Sequence, residues 1–111
     1  MILYIVRHAW AGHYGDPQWP DDFERPLSTA SKQRFVEFAD KLAGRGFLPQ
    51  VVATSPLVRC RQTAELVVAA VEKAGQRRPR LLEVEALVTG GSFDELITWS
   101  EERAKEFDQI A

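Results

Sequence analysis

The chain has 111 residues, a formal net charge of −2 and 45% hydrophobic residues, enough for one domain over residues 1–111 that buries roughly two thirds of its unfolded surface. Its 14 Lys and Arg against 16 Asp and Glu exclude a general nucleic-acid binder, and a single cysteine, Cys60, excludes an internal disulfide framework and fits a reducing, cytoplasmic setting. No apolar run approaches the ~20 residues of a membrane span, and no charged leader precedes a secretory core.

Met1 to Val6 (MILYIV) is apolar on both alternating faces and rich in β-branched and aromatic side chains. That is the pattern of a buried strand in a parallel sheet. Gly12, Gly15, Pro17, Pro20 and Pro26 then break residues Ala9 to Pro26, which read as a long loop. Trp10, Tyr14, Trp19 and Phe23 make it a packed loop flanking a site rather than a disordered one.

From Ser28 the period changes to helical, with Phe35, Phe38, Ala39, Leu42 and Ala43 on one face. Ser28 or Thr29 is the N-cap, and Gly44 and Gly46 stop the helix. Val51 to Ala53 is a short second strand. Ser55-Pro56 opens a second helix, buried along Leu57, Ala64, Val67, Val68 and Val71 and ended by Gly75. Leu81 to Leu87 is a third strand, alternating enough to lie near a sheet edge. Ser92-Phe93-Asp94-Glu95 spells a capping box for a third helix running to about Phe107. The order β-α-β-α-β-α predicts an α/β fold with a mostly parallel, doubly wound sheet in three α/β/α layers.

In such sheets ligands bind beyond the carboxyl ends of the strands. The first strand delivers Arg7 and His8 there, and the second helix carries Arg59 and Arg61 near its start. Cations at a helix N-terminus oppose the macrodipole, so helix energetics do not explain Arg59, whereas an anionic ligand does. Arg61 lies about 200° around the helix from Arg59 and is expected in solvent. Taken singly, each residue has an ordinary structural reading, a hydrogen-bonded His or a paired Arg. Their convergence on one crevice points to a phosphate site.

These residues stand in a pattern that resembles the histidine phosphatase superfamily, with its phosphoglycerate mutase-like fold. Ile5-Val6-Arg7-His8-Ala9 is similar to its strand-borne Arg-His-Gly signature, and Arg25-Pro26-Leu27-Ser28 to the stretch before its first helix. Ser55-Pro56-Leu57-Val58-Arg59-Cys60-Arg61-Gln62-Thr63-Ala64 matches its Ser-Pro-x-x-Arg-x-x-Gln-Thr-Ala helix start, and Leu87-Val88-Thr89-Gly90-Gly91 falls where small members have a Leu-x-Pro-x-Gly turn. The lack of large insertions is most similar to the SixA branch, the phosphohistidine phosphatases. The resemblance implies a reaction without metal or cofactor, in which His8 is the nucleophile and Arg7 and Arg59 hold the phosphoryl oxygens. Arg25 matches a further phosphate-pocket arginine of that branch, beside its plain reading as a loop residue held extended by Pro26. Glu83 and Glu85 lie near where larger members carry a proton donor.

Three departures accompany the resemblance. Ala9 and Ser31 replace glycines of the family pattern. The family also follows its third helix with a strand and a second histidine, and this chain is expected to stop before that strand. His13, the other histidine, is read as a solvent-facing or loop-packing residue. The expected activity is a SixA-like phosphatase acting on a phosphorylated protein or a small phosphorylated molecule. A member that binds phosphate or a phosphorylated partner without turnover is the alternative, and an uncovered sheet edge would permit a homodimer. A receiver-like or flavodoxin-like domain fits the β-α order, but not Arg7-His8 after the first strand.

Overall fold

In the computed structural model, which describes residues 1–88 and 90–111, four strands and three helices follow one another along the chain. Strand β1 is Ile2–Leu3, helix α1 Thr29–Gly44, strand β2 Val51–Thr54, helix α2 Val58–Lys73, strand β3 Arg80–Glu83, helix α3 Phe93–Arg103 and strand β4 Gln109–Ile110. All pairings are parallel and the order is β1-β4-β2-β3, the α/β class that the sequence predicts.

Local chemistry accounts for several helix ends. The Ser28 hydroxyl accepts the Ser31 N–H at 3.1 Å and caps α1. Ser92 accepts the Glu95 N–H at 3.2 Å and caps α3. Past α1 the chain turns through Gly46 at φ 97°, a conformation that a side chain would strain. Helix α2 begins later than the Ser55-Pro56 reading: its N-cap is Leu57, and Ser55 acts from outside by accepting the Leu57 N–H at 3.4 Å.

The core gathers Phe47, Val52, Ala64, Val67, Val68 and Val71, with Tyr4, Phe35, Leu42 and Leu81 partly buried against it. Helices α1 and α2 pack on each other over this cluster. Every residue of the expected α2 stripe is buried, and each such valine contributes about 1.5–3 kcal/mol relative to exposure. Strand β3 terminates the sheet, as its alternation predicts.

Four expectations are corrected. The Met1–Val6 run is not buried: Ile2 is 51% exposed and Ile5 84%. Strand β1 lies at the sheet edge and pairs with β4 through Ile2 and Leu3 only, so Ile5 and Val6 run past their partner. An unbroken apolar run does not distinguish that position from a central one. The third strand ends at Glu83, because Glu85–Leu87 coils into a 3₁₀ turn. Helix α3 ends at Arg103 rather than near Phe107, and the chain then re-enters the sheet as a fourth strand between β1 and β2. Gln50 holds that strand in register by accepting the Asp108 and Gln109 N–H groups at 2.7 and 3.3 Å. Finally, Trp10, Tyr14 and Phe23 are exposed and Trp19 alone of the four is half-buried, so the long loop is held more by polar contacts than by its aromatics. Of the turn at Leu87–Gly91, Thr89 lies outside the described residues.

Candidate active site

The carboxyl ends of β1 and β2 open onto a cavity of about 290 Å³. Arg7 and His8 line it from the segment after β1, Thr54 and Ser55 from the end of β2, Cys60 and Thr63 from α2, and Leu96 and Trp99 from α3. Among the described residues that line it, none is Asp or Glu, and Arg7, an exposed residue, is the one Lys or Arg among them. Such a wall favours an anion, and the α2 N-terminus beside it adds partial positive charge.

His8 is half-buried, and its Nδ1 lies 2.6 Å from the Ala9 carbonyl oxygen. A carbonyl oxygen only accepts, so Nδ1 is the donor, and the neutral ring carries its lone pair on Nε2. The contact thereby selects one tautomer. The following residue is also held, since the Ala9 N–H donates to the Thr63 hydroxyl at 3.0 Å and that hydroxyl donates to the Arg59 carbonyl at 2.8 Å. The segment after β1 and the first turns of α2 are therefore tied together one residue from His8.

Arg25 and Arg59 are both buried, and both turn onto Asp22. Arg25 donates Nε to one Asp22 carboxylate oxygen at 2.9 Å, and Arg59 donates Nη2 to the other at 3.0 Å. Arg59 Nη1 also donates to the Asp22 backbone carbonyl at 2.8 Å. Arg25 Nη1 reaches back to the carbonyls of Ala11 and Gly12 at 2.8 and 3.1 Å. Two guanidiniums thus share one carboxylate, leaving one uncompensated positive charge. Hydrogen bonding from Arg25 lowers the Asp22 pKa, assisted by the charges of both arginines and opposed by partial burial. Arg59 Nε is buried and has no hydrogen-bond partner among the described residues, a condition that costs about 1–3 kcal/mol in a folded protein.

The structure thus brings Arg7 and His8 together on one cavity and joins Arg25 to Arg59 through Asp22, with Thr63 tying the Arg59 backbone to Ala9. Neither Arg25 nor Arg59 lines the cavity itself, and neither do Glu83 and Glu85, which are exposed. Arg61 is exposed, and so is His13, whose ring stands edge-on to Trp10 at 5.9 Å. Sequence reasoning missed Asp22 and Thr63 as members of this arrangement. The spacing of Asp22 three residues before Arg25 was the one local signal; its reach to Arg59 is a property of the fold. Among the described residues no three His, Cys, Asp or Glu side chains group to hold a metal, and no helix is long and apolar enough to cross a membrane.

The fold is shared with known proteins. The structure is similar to that of the protein histidine phosphatase SixA complexed with tungstate, with a TM-score of 0.81 at 21% identity, covering 99% of this chain and 66% of that one. A SixA protein of Agrobacterium tumefaciens, named as a phosphohistidine phosphatase, gives a TM-score of 0.70 at 23% identity and covers 97% of this chain and 64% of that one. An uncharacterised protein of Picosynechococcus is 34% identical over 101 residues, which is 91% of this chain and 57% of that relative. The chain therefore spans a little over half the length of that curated relative. The family model of the histidine phosphatase superfamily (branch 1) matches residues 3–110, and the chain belongs to that superfamily.

Proposed function

We propose that the chain is a phosphatase that works through a covalent phosphohistidine on His8, with a phosphohistidine or a small phosphomonoester as substrate. The observation that carries this reading is the bond from His8 Nδ1 to the Ala9 carbonyl, made in the wall of a cavity with no acidic side chain. It leaves Nε2 as the nucleophilic atom without any prior proton transfer. A bond forms between Nε2 and phosphorus as the bond from phosphorus to the leaving oxygen or nitrogen breaks. Water then cleaves the N–P bond, releasing inorganic phosphate and restoring the imidazole.

The positive groups support the same reading. Arg7 lines the cavity, and Arg59 and Arg25, linked to the segment after His8 through Thr63 and through the Ala11 carbonyl, bring two positive charges against one negative. Fork-shaped guanidinium donors suit phosphoryl oxygens, and removing one such group typically costs ~10²–10³ in rate. Because Glu83 and Glu85 stand outside the cavity, the departing group takes its proton from solvent in this reading. The tungstate carried by the SixA structure of the same fold is a tetrahedral oxyanion, the shape this reading requires. A cytoplasmic location belongs to the proposal as well.

The test is to incubate the chain with a labelled phosphoramidate and look for a phosphoenzyme stable to base and labile to acid. Label on the wild type that disappears in His8→Ala supports the proposal. Absence of label from a folded wild-type chain that still binds inorganic phosphate overturns turnover and leaves a phosphate-binding protein.

A further inference from the structure

Starting from Ala9, the hydrogen bonds around the site can be followed in a closed ring. The Ala9 N–H binds the Thr63 hydroxyl, which binds the Arg59 carbonyl. The Arg59 side chain binds Asp22, Asp22 binds Arg25, and Arg25 returns to the carbonyl of Ala11, two residues beyond the start. Asp22 is the joint of that ring. It links an arginine of α2 to an arginine of the long loop, and through Arg25 it fixes the backbone that leaves His8.

We propose that Asp22 is a positioning residue: its carboxylate sets the guanidinium of Arg59, and through Arg25 the segment after His8, in the arrangement that grips an oxyanion. The inference rests on the phosphate-site reading above and goes beyond it by assigning a role to an acidic residue. The details of the grip support it. Asp22 engages Arg59 end-on, through Nη1 and Nη2, and leaves Nε as the buried donor with no partner. Arg59 has 9% of its side chain exposed and Arg25 8%. Guanidiniums so enclosed need a counter-charge to stay near each other. Without the Asp22 carboxylate they repel, and among the described residues the loop and α2 lose the one ion pair between them, keeping only the bonds through Thr63, Gln62 and the Asp22 carbonyl.

Charge competition and positioning have opposite signs. If Asp22 only competed with the ligand for two arginines, neutralising it would raise the local charge by one and tighten anion binding. If it positions them, neutralising it loosens the grip. Tungstate affinity by calorimetry decides between the two, measured on the 111-residue chain well below its melting temperature. Asp22→Asn removes the charge at constant shape, and Asp22→Glu keeps the charge but displaces it by one methylene. Positioning requires that both weaken tungstate binding, by roughly ten- to a hundredfold, the scale on which a misplaced gripping group acts. Val68→Ala, at a fully buried position of α2 that takes no part in the ring, is the control for general loosening and should leave the affinity as it was.

Binding in Asp22→Asn as tight as in the wild type, or tighter, overturns the inference. An equal loss in Val68→Ala does so too, because the effect is then not specific to the ring. Should Asp22→Asn fail to fold, Asp22→Glu decides: weakened binding supports positioning and unchanged binding overturns it. A folded wild-type chain that binds no tungstate overturns the phosphate-site reading itself, and this inference with it. That failure is distinguishable from a failure of Asp22 alone.

Discussion

Ala9 donates its backbone N–H to the hydroxyl of Thr63, 54 residues away, at 3.0 Å. The bond joins two short motifs that are separate in sequence, the segment after β1 that carries His8 and the helix that carries Arg59. Thr63 is 4% exposed, so its hydroxyl is satisfied within the protein, by Ala9 on one side and the Arg59 carbonyl on the other.

Thr63→Val removes that hydroxyl at nearly constant volume. The part-buried Ala9 N–H then lacks its acceptor, and we expect a loss of about 1 kcal/mol of stability by denaturant unfolding. Under the proposed function the phosphatase rate falls as well, because the residue following His8 is no longer held. A variant with unchanged unfolding midpoint would show that the bond contributes nothing.

The Asp22 carboxyl titrates below the ordinary carboxylate value of about 4, held there first by its hydrogen bond from Arg25. A carboxyl whose folded pKa is depressed stabilises the fold above the unfolded pKa and loses that stabilisation as pH falls through the folded one. We therefore expect the melting temperature to drop on acidification below about pH 4 more steeply in the wild type than in Asp22→Asn. Parallel melting curves across that window would count against the pairing.

Helix α3 starts on Ser92, whose hydroxyl accepts the Glu95 N–H. Ser92→Ala should cost about 1 kcal/mol, the usual value of a hydroxyl cap, and should raise amide exchange in the first turn of the helix. Val68→Ala, in the core between α1 and α2 where Val68 is wholly buried, should cost about 2–3 kcal/mol through lost burial and residual cavity.

What could be read from the chain beforehand follows from how local each signal is. The stripe Leu57, Ala64, Val67, Val68, Val71 and the Ser92 cap are local patterns, and both are present in the fold. Arg7 and His8 at the end of the first apolar run follow from where parallel strands deliver their next residues. The position of that run at the sheet edge was not legible, because Val and Ile favour a pleated surface whether or not a neighbour covers it. Asp22 was equally hidden. Its partner Arg59 is 37 residues away, and the loop around it contains Asp16, Asp21 and Glu24 as well, so apart from its spacing to Arg25 nothing local distinguishes the carboxylate that is used. The loop aromatics misled for a related reason: Trp10 and Tyr14 offer apolar area, but the loop is anchored by the Arg25 guanidinium on its own carbonyls.

Under the proposed function His8 attacks through Nε2, because Nδ1 is spent on the Ala9 carbonyl. Phosphorus and nitrogen NMR of the phosphorylated, nitrogen-labelled chain identifies which ring atom carries the phosphoryl group. The account requires the N–P coupling to fall on Nε2 of His8; a phosphoryl group on Nδ1, or on any other residue, would contradict it.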